Sequence, residues 1–489
     1  MINLRPYQDG AIENLRASIF AGNNRVLLQA ATGAGKTIIA CEMIRRATAK
    51  QKRVLFIAHR KEIITQTSDK LELFNIEHGV IMANHSRVNN HAVQVASIQT
   101  LTRRDKPPAD LLIIDETHLA CSTSFLKILE HYADATVIGL TATPVRLDGR
   151  GLGEIYGDIV QVVPMAQLIS EGHLVKPRVF APFKPDMKGV RKNKGDYDAT
   201  ETAKLMDKKE ITADIVKHWQ KSNMLDFEKL EKVENLRKPE IHRKTIVFAS
   251  SVQHSKNLVA QFCAANISAK HLDATTPATE RDATLQAWRD NEFTVLSNCG
   301  LFIEGLDVPA ASCCILARPT KSLTIYLQAV GRVMRPAENK TDCIILDCAG
   351  LTYEHGLVDM VRHWSLDGKV KREKDDTNPV HLCPECFAAY SKTEHPDECP
   401  ECGYIEPKEQ RTFKHTETEL KELTGDLLTD LQKRLAFKQE IKLCKTLDDY
   451  KAMAKRRGYK AGWAYIKFNE RVSWLKSHGY DAPILESAA

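Results

Sequence analysis

Residues 30–37 read Ala-Ala-Thr-Gly-Ala-Gly-Lys-Thr, and residues 111–118 read Leu-Leu-Ile-Ile-Asp-Glu-Thr-His. The first stretch follows an apolar run, residues 26–30, that reads as a buried strand. It opens residues 36–47, which read as a helix. Between the two, the small segment Thr32, Gly33, Ala34 and Gly35 lets backbone N–H groups curl around phosphate oxygens at the positive end of the helix. Lys36 is then placed to reach the β- and γ-phosphates, and the Thr37 hydroxyl to ligate Mg²⁺. Position 30 is Ala where the usual pattern has Gly; Gly33 and Gly35 keep the turn. The second stretch is a buried strand that delivers Asp115 and Glu116 at its C-terminal end. Asp115 is the expected second Mg²⁺ ligand, and Glu116 the group that orients or deprotonates a water. Loop and acidic strand end, in this order, predict an α/β fold that hydrolyses ATP.

Length and composition frame that site. A chain of 489 residues with 43% hydrophobic content can bury more than one core. The formal net charge of +6 excludes a polycation. Thirteen cysteines are scattered, several in apolar runs such as Cys313-Cys314 and Cys343. That usage fits buried thiols in a reducing compartment and not a disulfide framework. The N-terminus has no apolar signal region, and no run approaches the roughly 18 apolar residues of a membrane span. The expectation is a cytoplasmic protein with no membrane partner.

Apolar strands alternate with helical stretches at residues 26–29, 54–58, 93–97, 111–114 and 137–140, which argues for a parallel sheet. The rhythm stops near Val163. A charged, Lys-rich insertion follows at 184–238, with a helix expected at 211–221. Strands resume at 245–249, 294–297, 313–317 and 343–346. Two sheets of similar size are expected, with one phosphate loop.

The chain resembles the superfamily 2 helicases of the DEAD/DEAH type, which have two tandem RecA-like domains. Leu4-Arg-Pro-Tyr-Gln8 is similar to the adenine-reading segment, which implies nucleotide contacts for Arg5 and Gln8. Ala58-His-Arg-Lys-Glu-Ile63 and Ser97-Ile-Gln-Thr-Leu101 resemble motifs that touch the nucleic-acid backbone. Asp115-Glu-Thr-His118 is a variant of the DEAD/DEAH box, and Thr141-Ala-Thr143-Pro resembles the coupling motif. Asn298 to Pro309 resembles motif V and implies nucleotide contacts for Gly305 and Asp307. Gln328-Ala-Val-Gly-Arg332-Val-Met-Arg335-Pro resembles motif VI. Within the superfamily, the chain resembles the RadD-type bacterial DNA-repair helicases and their phage relatives. Leu4-Arg-Pro-Tyr-Gln8, Thr141 to Leu147, Leu316-Ala-Arg-Pro-Thr320 and Lys340-Thr-Asp-Cys-Ile-Ile-Leu-Asp347 carry that likeness, and a Cys-rich segment downstream also fits. It departs at the third position of the box, where Thr117 stands in place of Cys.

The resemblance implies roles residue by residue. Arg332 and Arg335, three apart on an expected helix, share one face and reach the nucleotide from the second domain as arginine fingers. His118, Thr141, Thr143 and Gln328 couple nucleotide state to the cleft. Arg60, Lys61 and Gln99 in the first domain, and Ser250, Ser251 and Thr275 in the second, are the candidate contacts to nucleic acid. Phosphate contact without base readout suits movement along any sequence. The expected domains are residues 1–170 and 171–370.

Two further segments follow, at 378–410 and 411–489. Cys383-Pro-Glu-Cys386 and Cys399-Pro-Glu-Cys402 are two knuckles separated by twelve residues, the signature of a tetrahedral Cys₄ zinc ribbon. No ligand position is left for water, so the zinc is expected to be structural. Such a ribbon serves either as a brace or as a nucleic-acid contact. Between Lys433 and Lys476 there are thirteen Lys/Arg against four Asp/Glu, interleaved with aromatics. A helix, a glycine turn and a second helix are expected there. Its aromatics form mostly a small core, and the face bearing Lys455, Arg456 and Arg457 binds DNA or a partner.

Together these readings predict an ATP-dependent DNA helicase or translocase acting in DNA repair, recombination or replication. Its expected cofactors are ATP, Mg²⁺ and Zn²⁺. Single-stranded or branched DNA is the expected partner, with a single-strand DNA-binding protein implied by the resemblance. An RNA helicase, and a nucleotide-switched remodeler that does not separate strands, remain the alternatives. No nuclease constellation stands out in the remaining segments, so cleavage is not expected.

Overall fold

The computed structural model describes residues 4–83, 85, 90–119, 123–146, 149–193, 195–230, 243–301, 308–368, 380–406, 433, 435–437, 439–460 and 462–477. The chain divides into two compact units, Met1–Pro407 and Lys408–Ala489.

The first unit contains two parallel-sheet lobes of the RecA-like kind. In the first lobe the strands are β1 (Arg25–Gln29), β2 (Val54–Ala58), β3 (Gly79–Ile81), β4 (Val93–Ser97), β5 (Leu111–Ile114), β6 (Thr136–Thr141) and β7 (Asp158–Gln161). Their order across the sheet is β3-β4-β2-β5-β6-β1-β7, and every pair is parallel. A parallel sheet is covered on both faces, so its strands are mostly apolar and successive residues serve opposite cores. Val26, Leu28, Val54 and Phe56 enter one core with Ile12, Ile39 and Ile44 from the helices Pro6–Phe20 and Lys36–Thr48. Leu27, Leu55 and Ile57 enter the other with Phe125, Leu129 and Tyr156.

The second lobe has β8 (Lys176–Phe180), a small hairpin of β9 (Lys192–Asn193) and β10 (Asp196–Tyr197), then β11 (Thr245–Ala249), β12 (Ala269–Asp273), β13 (Val295–Cys299), β14 (Cys313–Ala317) and β15 (Asp342–Asp347). The main sheet runs β12-β13-β11-β14-β15-β8, all parallel. It continues into the cysteine segment, which adds β16 (Val380–Leu382) and β17 (Ala388–Ser391). β17 pairs antiparallel with β8, and β16 pairs with β17. The knuckle is therefore built onto the edge of the second sheet. Cys383, Cys386 and Cys399 lie in the same core cluster as Phe180, Trp219 and Ile344. The helix of the charged insertion spans Lys209–Leu230, longer than residues 211–221. It seals this face with Trp219, whose Nε1 donates to Thr245 Oγ1 at 2.9 Å.

The second unit is a helical module. Thr446 caps the helix Leu447–Arg457 in a reciprocal box with Asp449, and Gly458 ends it in the left-handed conformation at φ 70°. The helix Gly462–Ser477 follows. Tyr450, Met453, Ala454, Ala464 and Phe468 form its core, with Trp463 partly buried against it. Tyr459 and Tyr465 stay exposed. Among the described residues, no helix is long and apolar enough to cross a membrane.

Trp219→Ala removes a fully buried indole and its hydrogen bond. It is expected to lower the unfolding free energy by about 3–5 kcal/mol. A urea titration followed by circular dichroism should show the midpoint falling with little change in slope.

Candidate nucleotide site, metal site and nucleic-acid rim

β1 runs into the loop Ala30–Gly35, and Lys36 opens the next helix. Gly33 and Gly35 adopt φ +90° and +83°, which only glycine takes without strain. The space is closed as well. A Cβ on Gly33 would fall 2.6 Å from Leu174 Cδ2, and one on Gly35 would fall 2.5 Å from Gln8 Nε2. Gln8 donates to Ala34 O at 3.1 Å and accepts from the Arg5 backbone at 3.0 Å. Tyr7 donates to the same Ala34 carbonyl, and Arg5 donates to the Tyr7 hydroxyl. The N-terminal segment thus grips the phosphate loop from outside.

Asp115 follows the end of β5, with Glu116 beside it at φ +46°, an uncommon backbone for a side-chain-bearing residue. Lys36 Nζ donates to Glu116 Oε1 at 3.0 Å. His118 Nδ1 lies 3.3 Å from Glu116 Oε2 and 3.1 Å from Thr141 Oγ1. Burial opposes ionisation of Glu116, but the Lys36 ammonium and the His118 ring outweigh it and hold the carboxyl well below the usual range. Burial, with the Glu116 charge next to it, pushes Asp115 up to about 6. Two adjacent carboxylates, Asp115 buried and Glu116 nearly so, face one ammonium and leave net negative charge, so Asp115 and Thr37 could hold a divalent cation there. Thr37 sits one residue beyond Lys36 on the same helix.

The second lobe closes directly on this loop. A Cβ on Gly331 would fall 2.3 Å from Thr32 Cγ2, so only glycine fits there. Thr143 Oγ1 and Thr324 Oγ1 hydrogen-bond at 2.7 Å across the seam. Thr141 and Thr143 are tied to each other by two further bonds: Thr141 Oγ1 donates to Thr143 O, and Thr143 N donates to Thr141 Oγ1. A continuous path therefore runs from Glu116 through His118, Thr141 and Thr143 to Thr324. Among the described residues, Thr32 Oγ1, His118 Nε2 and Gln328 Nε2 are buried at the seam's motifs without a hydrogen-bond partner. Each such atom costs about 1–3 kcal/mol, and a polar ligand or water would relieve it. Thr324 and Tyr7 carry no sequence signal beyond lying near motif positions.

The arginines depart from expectation. The helix Leu323–Gly331 ends before Arg332, and Arg332 and Arg335 sit in the turn that follows. Arg332 N bonds to Ala329 O in a tightened last turn, and Pro336 cannot continue a helix. The two side chains are presented by a turn and not by one helical face. Gly305 and Asp307 lie outside the described residues.

The nucleic-acid candidates occupy the C-terminal rims of both sheets. Arg60 and Lys61 follow β2, and Gln99 follows its neighbour β4. Gln99 Nε2 donates to His59 O at 3.1 Å and so ties the two loops together. Ser250 and Ser251 follow β11, and Thr275 follows β12. Ser251 also caps the helix Val252–Ala264, and Thr275 is held by Asp273 through its N–H and its hydroxyl. In the helical module, Arg456 and Arg457 both pair with Glu440, and Arg457 lies 5.0 Å over the Phe437 ring. Lys455 is exposed.

Cys383, Cys386, Cys399 and Cys402 bring their Sγ atoms within 4.8 Å of one another. Two of the separations are 3.6 Å, Cys383 to Cys402 and Cys386 to Cys399. A tetrahedral zinc with Zn–S of about 2.3 Å requires sulfurs about 3.8 Å apart. The four thiols fit that group. Cys386→Ser should lower zinc content below one per chain, measured by atomic emission on protein purified without chelator. Protein with four intact thiols and no zinc overturns the assignment.

Comparison with known proteins places this geometry. Residues 1–146 match the family model "Type III restriction enzyme, res subunit", and residues 228–337 match "Helicase conserved C-terminal domain". The chain is 32% identical to a 51.5 kDa protein of a Lactococcus phage, over 81% of this chain and 82% of that one. It is 30% identical to a Saccharomyces cerevisiae protein provisionally named an ATP-dependent helicase, IRC3, over 71% of this chain and 51% of that one. It is 25% identical to the DNA 3'-5' translocase XPB2 of Sulfurisphaera tokodaii, over 69% of this chain and 80% of that one. The chain spans about half the length of the yeast relative. With these matches on the two lobes whose seam holds the phosphate loop, the chain belongs to superfamily 2 of the ATP-dependent helicases.

Proposed function

We propose that this protein hydrolyses ATP at the seam between its two lobes and uses the cycle to translocate on DNA or remodel it. The observation that carries the reading is the approach of Gly331 to Thr32, which sets the turn bearing Arg332 and Arg335 against the phosphate loop. Lys36 binds the β- and γ-phosphates. Asp115 and Thr37 would hold Mg²⁺, which would supply positive charge against the phosphates. Glu116 accepts the proton of the attacking water. Lys36 cannot serve Glu116 and a phosphate equally, so nucleotide entry competes for the ammonium and releases Glu116 to act as base. Arg332 and Arg335 stabilise the charge that develops on the transferred phosphoryl group, an effect typically worth about 10³ to 10⁵ in rate. Arg5 and Gln8 read the base, and Gly305 and Asp307 complete the site. His118, Thr141, Thr143 and Gln328 carry the nucleotide state across the seam.

Nucleic acid crosses the two rims at Arg60, Lys61, Gln99, Ser250, Ser251 and Thr275. DNA is preferred over RNA because the matching family is a restriction-enzyme subunit and one relative is named a DNA translocase. DNA repair, recombination or replication is the process that the sequence resemblance favours. A zinc held there would act as a brace, because the hairpin pairs with β8 and Cys383, Cys386 and Cys399 lie in the lobe's core, with Cys402 exposed.

Lys36→Ala should abolish hydrolysis. Glu116→Gln should bind ATP yet turn over at least about 10²-fold more slowly under DNA stimulation. Both are read by phosphate release beside nucleotide titration; normal turnover by Glu116→Gln sinks the assignment. Parallel stimulation and strand-displacement assays with DNA and RNA identify the polymer. Stimulation by RNA alone favours an RNA helicase, and stimulation without displacement favours a translocase or remodeler.

The helical module should add DNA affinity. Lys455→Gln with Arg456→Gln spares Arg457, which packs on Phe437. On single strands, the slope of log affinity against log salt should flatten by about 0.7 for each phosphate no longer neutralised. An unchanged slope reassigns the face to protein docking or packing.

A further inference from the structure

Lys340 lies in the turn between Arg335 and β15, and its side chain is folded inward. Its Nζ donates to Pro309 O at 2.8 Å, Ala311 O at 2.6 Å and Arg335 O at 2.8 Å. An ammonium has three donors, and all three are used on backbone carbonyls. Its own N–H donates to Ala337 O and closes the turn. Burial pushes its pKa down to about 8. Such a group is held against its desolvation by those hydrogen bonds.

The three carbonyls come from two places. Pro309 and Ala311 end the segment that leaves β13, and Arg335 belongs to the turn that follows the helix Leu323–Gly331. Lys340 itself stands just before β15, which is locked in the sheet between β14 and β8. One charge thus ties both loops to a fixed strand. We propose that Lys340 is a positioning residue for Arg335, its ammonium clasping the backbone that carries this arginine to the end of the segment leaving β13. The proposal rests on the role of Arg335 as an arginine finger. With its three donors engaged on backbone carbonyls, Lys340 acts through Arg335, fixing where the Arg335 backbone stands when the lobes close. Displacing a catalytic group by about 1 Å can cost about 10²-fold in rate.

The test is a double-mutant cycle on DNA-stimulated hydrolysis in the full chain, with Lys340→Met, Arg335→Ala and the combination, beside Lys340→Arg. Single-stranded DNA is the stimulating polymer. Lys340→Met should lower kcat at least about tenfold with the KM for ATP within about threefold, because the clasp acts on a group engaged in the transition state. Lys340→Arg, which keeps a multi-donor cation, should recover most of kcat. The double variant should be no slower than Arg335→Ala alone, the mark of two residues acting as one unit. If Lys340→Met turns over normally, or the two defects multiply, the clasp is overturned while the site reading stands. If Arg335→Ala turns over normally, the finger assignment fails and the clasp fails with it. Should Lys340→Met not fold, Lys340→Gln and Lys340→Arg supply the cycle, and failure of Lys340→Arg to outperform Lys340→Gln overturns the proposal.

Discussion

Gly331 carries no side chain, and the space where one would stand belongs to Thr32. That approach sets the second lobe against the phosphate loop. Two lobes joined by surface loops could sit at many angles. An approach that a single methyl group would forbid allows one arrangement of the seam at van der Waals distance. The Thr143–Thr324 hydrogen bond adds direction to it. A packed seam is bistable, because it is either closed or open, and that property converts a small change at a phosphate into a rigid-body movement.

The charges at the seam obey the same logic. Asp115 and Glu116 are adjacent and buried, and their neighbours push them apart in acidity. Lys36 and His118 favour the charge on Glu116, while burial beside that charge disfavours it on Asp115. Two chemically similar groups in sequence are thus held in different charge environments by their neighbours. Glu116 stands at a positive φ of 46°, a backbone conformation that costs a side-chain-bearing residue some stability.

Much of this is legible in the sequence, for a physical reason. Strands buried on both faces must be mostly apolar, and β1, β2, β5, β11 and β14 stand out for that reason. Of the elements that escape, β3 and β7 are only three and four residues long, and β8 and β12 carry polar residues. β8 contains Pro177 and Arg178, and Arg178 is tolerated there by Asp342 and Glu401. β12 contains Lys270 and His271 and lies at the sheet edge. The turn at Arg332 is hidden because helical spacing looks the same just past the end of a helix as it does inside it. The docking of the cysteine hairpin on β8 joins segments far apart in the chain, such as Phe180 and Ala388, through short strands, which no local pattern announces.

That hairpin has a consequence for the life of the protein outside its reaction. β8 would otherwise be the terminal strand of a large parallel sheet, and its open row of N–H and C=O groups would template pairing with another chain. The cysteine hairpin pairs with this margin at Val179 and Phe180, and its outermost strand has only 3 residues, Val380–Leu382, too short to recruit a neighbour. Loss of this hairpin from the sheet would therefore first endanger solubility, through self-association along the bared strand, while the residues around the phosphate loop stay assembled.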